Sequence, residues 1–158
     1  MKSFSIIRAE AEDLESILQL QYLAYRSEAL LLGDEDIPPL RQTLAEVQQE
    51  FARGVILKLV DQTGRIIGSI RAQKQEDSVY IGKLMVHPAY QRQGLGSRLL
   101  QEIESVVVGR RYELFTSSRS MRNLLLYEKA GYKSFKEQQA GENLTLVFLQ
   151  KDVTAPAR

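Results

Sequence analysis

The chain has 158 residues with 21 Lys and Arg against 20 Asp and Glu, which gives a formal net charge of +1. This length fits one domain of ordinary size, and the balanced charge excludes a global field that attracts nucleic acid or an anionic membrane. The chain has no cysteine and a single histidine, His87, which excludes a disulfide framework, a thiolate nucleophile and a histidine metal cluster.

We expect no signal peptide and no membrane span in this sequence. The apolar stretch within residues 1–8 is too short for a signal peptide, and no later segment has the length of a membrane span. We therefore expect a soluble, cytoplasmic protein with one domain over residues 1–152, followed by a flexible tail at 153–158.

The first third of the chain has the pattern of a strand followed by two helices. Residues 4–8 alternate as a short strand, and apolar residues at helical spacing predict a helix from about Asp13 to about Glu28. A glycine and two prolines predict a loop over residues 30–39, with Pro39 or its neighbour beginning a second helix that ends near Gly54.

The rest of the chain has the pattern of a strand meander followed by alternating helices and strands. The meander covers residues 55–60, 65–72 and 78–86. The later elements are a helix at 96–108, a strand at 112–117, a helix at 121–130, and a closing hairpin of strands at 132–136 and 144–151. This order predicts an α/β or α+β architecture around a mixed sheet.

The most informative run is LMVHPAYQRQGLGSRLL at residues 84–100, in which an apolar strand passes through glycines directly into a helical pattern. Such a turn leaves backbone N–H groups unpaired at the positive end of the helix dipole. Gly94 and Gly96 let an anion approach the backbone closely, and Arg92 adds a charged donor. The run therefore predicts a phosphate-binding turn.

Two common classes of glycine-rich phosphate site do not fit this spacing. A dinucleotide fingerprint that begins at Gly94 needs a glycine where Leu99 stands. A P-loop needs a lysine after its last glycine, but Gly96 is followed by Ser97 and Arg98.

Two separate motifs resemble those of the GNAT acetyltransferase superfamily. The pattern Gln91-x-x-Gly94-x-Gly96 resembles its acetyl-CoA signature. The run NLLLYEKAGY at residues 123–132 resembles its later motif, in which an asparagine and a tyrosine four residues on line the thiol end of the cofactor. The order of elements over roughly residues 3 to 151 is also similar to that of the family.

The resemblance implies both a fold and a reaction. The fold is the GNAT-like acyl-CoA N-acyltransferase fold, α/β with a mixed sheet, in the order β1-α1-α2-β2-β3-β4-α3-β5-α4-β6-β7. The reaction is direct transfer of the acetyl group of acetyl-CoA, as cosubstrate, to a primary amine, with no metal and no covalent intermediate.

The resemblance also implies which residues hold the cofactor. The main chain of Leu84, Met85 and Val86 binds the pantetheine arm like an added strand, while their side chains join the core. The implied cofactor-binding set is Leu84, Met85, Val86, Gln91, Arg92, Gln93, Gly94, Leu95, Gly96, Ser97 and Asn123.

Tyr127 is the implied general acid, which gives its phenolic proton to the departing coenzyme A thiolate. Without the family motif, a tyrosine packed against the sheet is the simpler interpretation. Asn123 lies one helical turn earlier on the same face, where it holds the pantetheine or positions the tyrosine, unless it is an ordinary surface or capping residue.

The sequence leaves the identity of the general base open. Some members of the family place a glutamate on the strand before the cofactor, but here the count back from Gly94 reaches Tyr80. The alternatives are an ordered water or a carboxylate from the first helix and the loop after it, where Glu28 and the cluster at residues 34–36 are available.

The acceptor and partners are less determined by the sequence. The acidic cluster Asp34-Glu35-Asp36 suits a cationic amine acceptor, although a solvated loop is the simpler interpretation. A homodimer is common among relatives, and no sequence feature decides it. The rival functions are a non-catalytic acyl-CoA-binding sensor and a nucleotide-binding regulator.

Overall fold

The computed structural model of the protein describes residues 3–33 and 37–153, and these contain seven strands and four α-helices. The strands are β1 (Ser5–Arg8), β2 (Val55–Val60), β3 (Ile66–Gln75), β4 (Ser78–Val86), β5 (Arg111–Ser117), β6 (Lys133–Gln139) and β7 (Thr145–Asp152). The helices are α1 (Leu14–Leu32), α2 (Leu44–Arg53), α3 (Leu95–Val106) and α4 (Met121–Lys129). The predicted order of elements is confirmed.

The strands form one mixed sheet in the order β1-β2-β3-β4-β5-β7-β6. Neighbouring strands are antiparallel except for β4 and β5, which are parallel. A parallel pair needs a crossover connection, and α3 supplies it. The α/β mixed-sheet fold class is confirmed.

Helices pack against both faces of the sheet, as the alternation of side chains along β2 shows. Leu57 and Leu59 face a large core that includes Leu99 and Ile103 of α3. Ile56 points the other way into a smaller core with Leu14, Ile17 and Leu18 of α1 and Val47 of α2. The sheet therefore separates α1 and α2 from α3.

The first helix is longer than predicted. It continues through Leu32 and ends at Gly33, which has a φ of 74° and donates its N–H to the carbonyl of Ala29. The predicted loop at residues 30–32 is therefore wrong, because leucine favours helix and the breaker comes only at the glycine.

The second helix begins at Leu44, and the predicted start at Pro39 or its neighbour is wrong. Thr43 Oγ1 accepts a hydrogen bond from Glu46 N at 3.2 Å, and the Glu46 carboxylate accepts from Thr43 N at 2.9 Å. This capping box fixes the helix start. The prolines instead open a short 3-10 turn, Pro38–Leu40.

No described helix combines the length and the apolar character that crossing a bilayer requires. The acidic cluster at residues 34–36 and the tail at 154–158 lie outside the described residues.

Candidate active site

A gap between β4 and β5 is the central feature of the site. The two strands pair only from Ser78–Arg111 to Tyr80–Glu113, although β4 continues to Val86 and β5 to Ser117. The edge of β4 beyond Tyr80 therefore has no strand ladder on the side that faces β5. Leu84, Met85 and Val86 lie in this unpaired stretch.

A β-bulge bends β4 where the gap opens. The β3–β4 register shifts between Ser69, which pairs with Met85, and Arg71, which pairs with Gly82. Lys83 lies within the shift and has a left-handed φ of 53°. A bulge bends and twists its strand, which leads β4 away from its parallel neighbour.

The predicted phosphate-binding turn connects β4 to α3. Arg92 and Gly94 have left-handed φ values of 66° and 76°, and Gly94 is the residue before the helix. The first helical hydrogen bond runs from Arg98 N to Gly94 O at 3.2 Å, so the N–H groups of residues 95–97 precede the helical ladder. They lie at the positive end of a twelve-residue helix.

Gly96 is required for a different reason, the packing of α4 against the start of α3. A Cβ at Gly96 stands 3.1 Å from Leu126 Cδ1, whereas a Cβ at Gly94 meets no atom within 4 Å. Gly96 therefore lets the two helices approach closely, and Gly94 supplies the backbone conformation.

Gln91 links this turn to both sides of the gap. Its side-chain amide donates to the carbonyl of Val86 at 3.3 Å, and its oxygen accepts from Arg122 Nη1 of α4 at 3.1 Å. His87 Nδ1 accepts from Ala89 N at 3.0 Å, which gives the single histidine a local structural contact.

A cavity of about 260 Å³ lies along the turn and the end of β4. Its walls include every predicted cofactor residue except Gln93, together with Tyr25 and Glu28 of α1 and Ser120 and Arg122 at the start of α4. The structure thus brings together Leu84, Met85, Val86, Gln91, Arg92, Gly94, Leu95, Gly96, Ser97 and Asn123. Gln93 is exposed.

A second cavity of about 730 Å³ adjoins the first, and the two share Tyr25, Glu28, Leu84 and Asn123 in their walls. Tyr127 lines the second cavity. One wall of this cavity is charged and another is apolar. The charged wall is formed by Arg41, Glu46, Glu50, Arg71 and Lys83, and the apolar wall by Phe115, Leu144 and Leu146.

Arg71 organises the charged wall. Its side chain is buried, with Nη1 donating to Glu50 Oε1 at 2.7 Å and Nη2 donating to Gln21 Oε1 at 2.6 Å. Gln21 also donates to the carbonyl of Pro39 at 2.8 Å and to Gln42 Oε1 at 2.8 Å. This network attaches the segment between α1 and α2 to β3.

Tyr127 combines a core position with access to the second cavity. Its ring lies 6.2 Å from that of Tyr132, between centroids, and it is part of the large core. Burial raises the pKa of the Tyr127 phenol well above its ordinary value, and the charge of Glu28 raises it further. The phenol therefore keeps its proton at neutral pH.

Asn123 is directed toward β5. Its side-chain amide donates to Thr116 Oγ1 at 3.4 Å, which holds it beside the gap. It is one turn before Tyr127, as predicted, and lines both cavities.

Several cavity residues were not identified from the sequence. Lys83, Arg71 and Phe115 come from three different strands, and no local pattern places them around one cavity. For Tyr25 the helical spacing favours core packing over the alternative of a pocket wall, and the structure shows it half-buried and lining both cavities.

Within residues 3–33 and 37–153, no group of three or more His, Asp or Glu side chains is placed to hold a metal ion.

Tyr80, which occupies the position of the family's glutamate, is 43% exposed and lines the second cavity.

The comparisons with known proteins agree with this geometry. A family model described as an acetyltransferase (GNAT) domain matches residues 53–134. The chain is 29% identical over 138 residues to the UPF0157 protein YqkA of Bacillus subtilis (strain 168), a match that covers 87% of this chain and 39% of that protein. The chain thus spans well under half the length of this curated relative.

Solved structures show the same fold at low identity. The ribosomal-protein-S18-alanine N-acetyltransferase of Escherichia coli superposes with a TM-score of 0.81 at 17% identity, covering 98% of this chain and 97% of that one. PaiA N-acetyltransferase of Thermoplasma acidophilum, in complex with coenzyme A, gives 0.79 at 16% identity, covering 96% and 99%.

A phosphinothricin acetyltransferase of Sinorhizobium meliloti, in complex with acetyl-CoA, gives a TM-score of 0.73 at 20% identity, covering 98% of this chain and 93% of that one. The family model covers the bulged strand, the glycine turn and the later tyrosine motif. On this match the chain belongs to the GNAT acetyltransferase family.

Proposed function

We propose that the protein is an N-acetyltransferase that moves the acetyl group of acetyl-CoA directly to a primary amine. The observation that carries this proposal is the junction of the two cavities. They meet at Tyr25, Glu28, Leu84 and Asn123, beside the gap between β4 and β5. A donor in the first cavity and an acceptor in the second would meet at this junction.

The residues of the first cavity fit the parts of acetyl-CoA, which supplies the activated acetyl group as a thioester. The N–H groups of residues 95–97 and the Arg92 guanidinium suit the pyrophosphate. The open space at Gly94 admits a phosphate without a clash. The unpaired edge of β4 at residues 84–86 offers main-chain groups to the amides of the pantetheine arm.

Tyr127 acts as the general acid. Its proton goes to the sulfur as the thiolate leaves, and its buried position supports this role because the phenol stays protonated until then. The raised pKa also makes the phenol a weaker donor, so the transfer depends on close placement. Asn123 and the adjoining β4 edge hold the thiol end beside it.

The second cavity favours an enzyme over an acyl-CoA-binding sensor. A sensor needs the first cavity alone, whereas an enzyme needs room for an acceptor next to the reacting bond. The second cavity, at about 730 Å³, has that room, and its charged and apolar walls suit an amine with both polar and apolar parts.

The test is a turnover assay with a panel of amines that includes polyamines, amino acids, aromatic amines and a peptide amino terminus. Purified protein, acetyl-CoA and each amine are mixed, free coenzyme A thiol is measured, and the product is identified by its mass. We expect thiol release that depends on the amine, with an acetylated product. Tight binding of acetyl-CoA with no turnover supports the sensor, and failure to bind it contradicts both functions.

A further inference from the structure

We propose that Glu28 is the general base that removes the proton from the acceptor's ammonium group. This inference rests on the proposed N-acetyltransferase function. Glu28 lies near the end of α1, and among the described carboxylates that line either cavity it is the one that lines both. In the proposed reaction the amine and the thioester meet at this junction, where Glu28 is the carboxylate available to the reacting nitrogen.

The other described carboxylates of the second cavity have structural partners. The Glu46 carboxylate accepts hydrogen bonds from Thr43 N and Thr43 Oγ1 and so starts α2. Glu50 pairs with Arg71 at 2.7 Å and accepts from Gln42 at 2.7 Å. Neither of them lines the first cavity.

The immediate surroundings of Glu28 suit a base. The Ser120 side chain, at the residue before α4, is close enough to the Glu28 carboxyl to stabilise its charged form. The charge of Glu28 raises the pKa values of Tyr25 and Tyr127, so it lies within electrostatic reach of the proposed acid. Burial raises the pKa of Glu28 itself, which brings a carboxylate nearer to the proton affinity that a base needs at neutral pH.

Other ionisable groups from the surrounding elements face the same two cavities. The cations are Arg92 of the turn, Arg122 of α4, Lys83 of β4, Arg71 of β3 and Arg41 before α2. The acids are Glu46 and Glu50 of α2, and the phenols are Tyr25, Tyr80, Tyr90 and Tyr127. Burial lowers the pKa of Lys83 and also that of Arg71, and the ion pair with Glu50 opposes the effect at Arg71, which stays charged.

Glu28 and Tyr127 each transfer one of the protons in the proposed reaction. Glu28 takes one proton from the ammonium and later releases it to solvent. The freed lone pair forms the C–N bond, and the C–S bond breaks with its electron pair on sulfur. Tyr127 gives its proton to that sulfur and regains one from the nitrogen as the amide forms. The sum is an ammonium and acetyl-CoA giving an amide, coenzyme A and one proton.

The test compares the pH dependence of kcat/KM for Glu28→Gln and wild type with the best amine of the panel. Near neutral pH we expect a loss of about 100- to 10,000-fold, the usual contribution of a general base. The loss should shrink at alkaline pH, because there the acceptor is already a neutral amine. A structural role for Glu28 would lower the rate by the same factor at every pH.

Three controls make the comparison specific. Glu15→Gln, an exposed glutamate on the same helix, should leave the profile unchanged. Glu28→Asp should restore part of the rate with the wild-type profile shape. The acetyl-CoA Kd of Glu28→Gln should stay within about threefold of wild type, so that the change lies in the chemistry.

Ser120→Ala gives an independent readout. The Ser120 side chain does not cap α4, so its loss should leave the fold intact. Removing its hydrogen bond, which stabilises the charged carboxylate, should shift the acidic limb of the profile to higher pH. The Ser120→Ala variant therefore tests the role of Glu28 as the base even if Glu28→Gln does not fold.

The outcomes separate the two proposals. The role of Glu28 is overturned, and the acetyltransferase function kept, by the following result. Wild type turns over, the pH profile of kcat/KM for Glu28→Gln runs parallel to that of wild type, and the acidic limb for Ser120→Ala does not shift. No turnover by wild type with any amine overturns the acetyltransferase function, and the role of Glu28 with it.

Discussion

Arg71 Nη1 and Glu50 Oε1 form an ion pair at 2.7 Å in which the arginine side chain is 5% exposed and the glutamate side chain is 38% exposed. The pair joins β3 to α2 and forms one wall of the second cavity. Removing the Glu50 charge therefore leaves the buried Arg71 guanidinium without the carboxylate that neutralises it.

We expect Glu50→Gln to lower the free energy of unfolding by about 1–3 kcal/mol, below the full effect of breaking a buried pair because the glutamate is partly solvated. Urea unfolding measures this value. Glu15→Gln on the exposed face of α1 is the control, with an expected change within about 0.5 kcal/mol. Equal effects of the two substitutions would contradict a stabilising role for the pair.

The Gly94 backbone conformation gives a matched pair of variants. Gly94 and Gly64 both have left-handed φ values, 76° and 87°, and both have open space where a Cβ would stand. Either alanine substitution should cost about 1–2 kcal/mol of stability. Only Gly94→Ala should weaken acetyl-CoA binding, because it strains or displaces the phosphate-binding turn. We expect the Kd to rise by about tenfold or more.

Isothermal titration with acetyl-CoA measures the loss of binding, and thermal melting measures the loss of stability. If both variants bound acetyl-CoA as wild type does, the turn at residues 91–97 would not hold the phosphates.

Tyr127→Phe should separate chemistry from binding. We expect kcat to fall by about 100-fold or more because the leaving thiolate loses its proton donor, while the acetyl-CoA Kd changes little. Tyr132→Phe is the control, since its hydroxyl donates to Glu104 Oε2 at 2.6 Å within the core. That variant should lose about 1 kcal/mol of stability and keep the wild-type kcat. Unchanged turnover in Tyr127→Phe would remove its role as the acid.

The raised pKa of Glu28 predicts a pH-dependent gain in stability when the charge is removed. Burial, partly offset by the Ser120 hydrogen bond, gives the carboxyl a higher pKa in the folded state than in the unfolded chain. The folded state therefore binds this proton more tightly, and its stability falls as pH rises from the unfolded toward the folded pKa.

Glu28→Gln should accordingly melt at a higher temperature than wild type at neutral pH, and the difference should vanish in acid, where both side chains are uncharged. Melting curves at several pH values test this. A variant less stable than wild type at neutral pH would show that Glu28 stabilises the fold.

Features that depend on local chemistry could be predicted from the sequence. The turn at residues 91–97 is contiguous, so the glycines and the helix start that create its unpaired N–H groups are adjacent in the chain. The meander and the crossover helix follow from apolar periodicity. The boundaries around residues 30–44 were wrong because two signals competed, and the capping box of Thr43 and Glu46 prevailed over the prolines.

Features that depend on tertiary contacts could not be predicted. The charged and apolar walls of the second cavity combine residues from α2, β3, β4, β5, β7 and the segments before α2 and β7, which are about a hundred positions apart at most. The bulge at Lys83 is likewise a property of strand register. Helical spacing alone does not separate a core position for Tyr25 from a place in a cavity wall, because periodicity identifies an inward face but not a cavity in it.

The position of bound acetyl-CoA tests the central claim most directly. Backbone amide NMR shifts, followed as acetyl-CoA is titrated into the isotopically labelled protein, locate it residue by residue. The account predicts saturable shifts concentrated at the amides of residues 84–86 and 92–97, with smaller ones at Asn123 and Tyr127. Saturable binding that leaves those amides unmoved and shifts another region would contradict it.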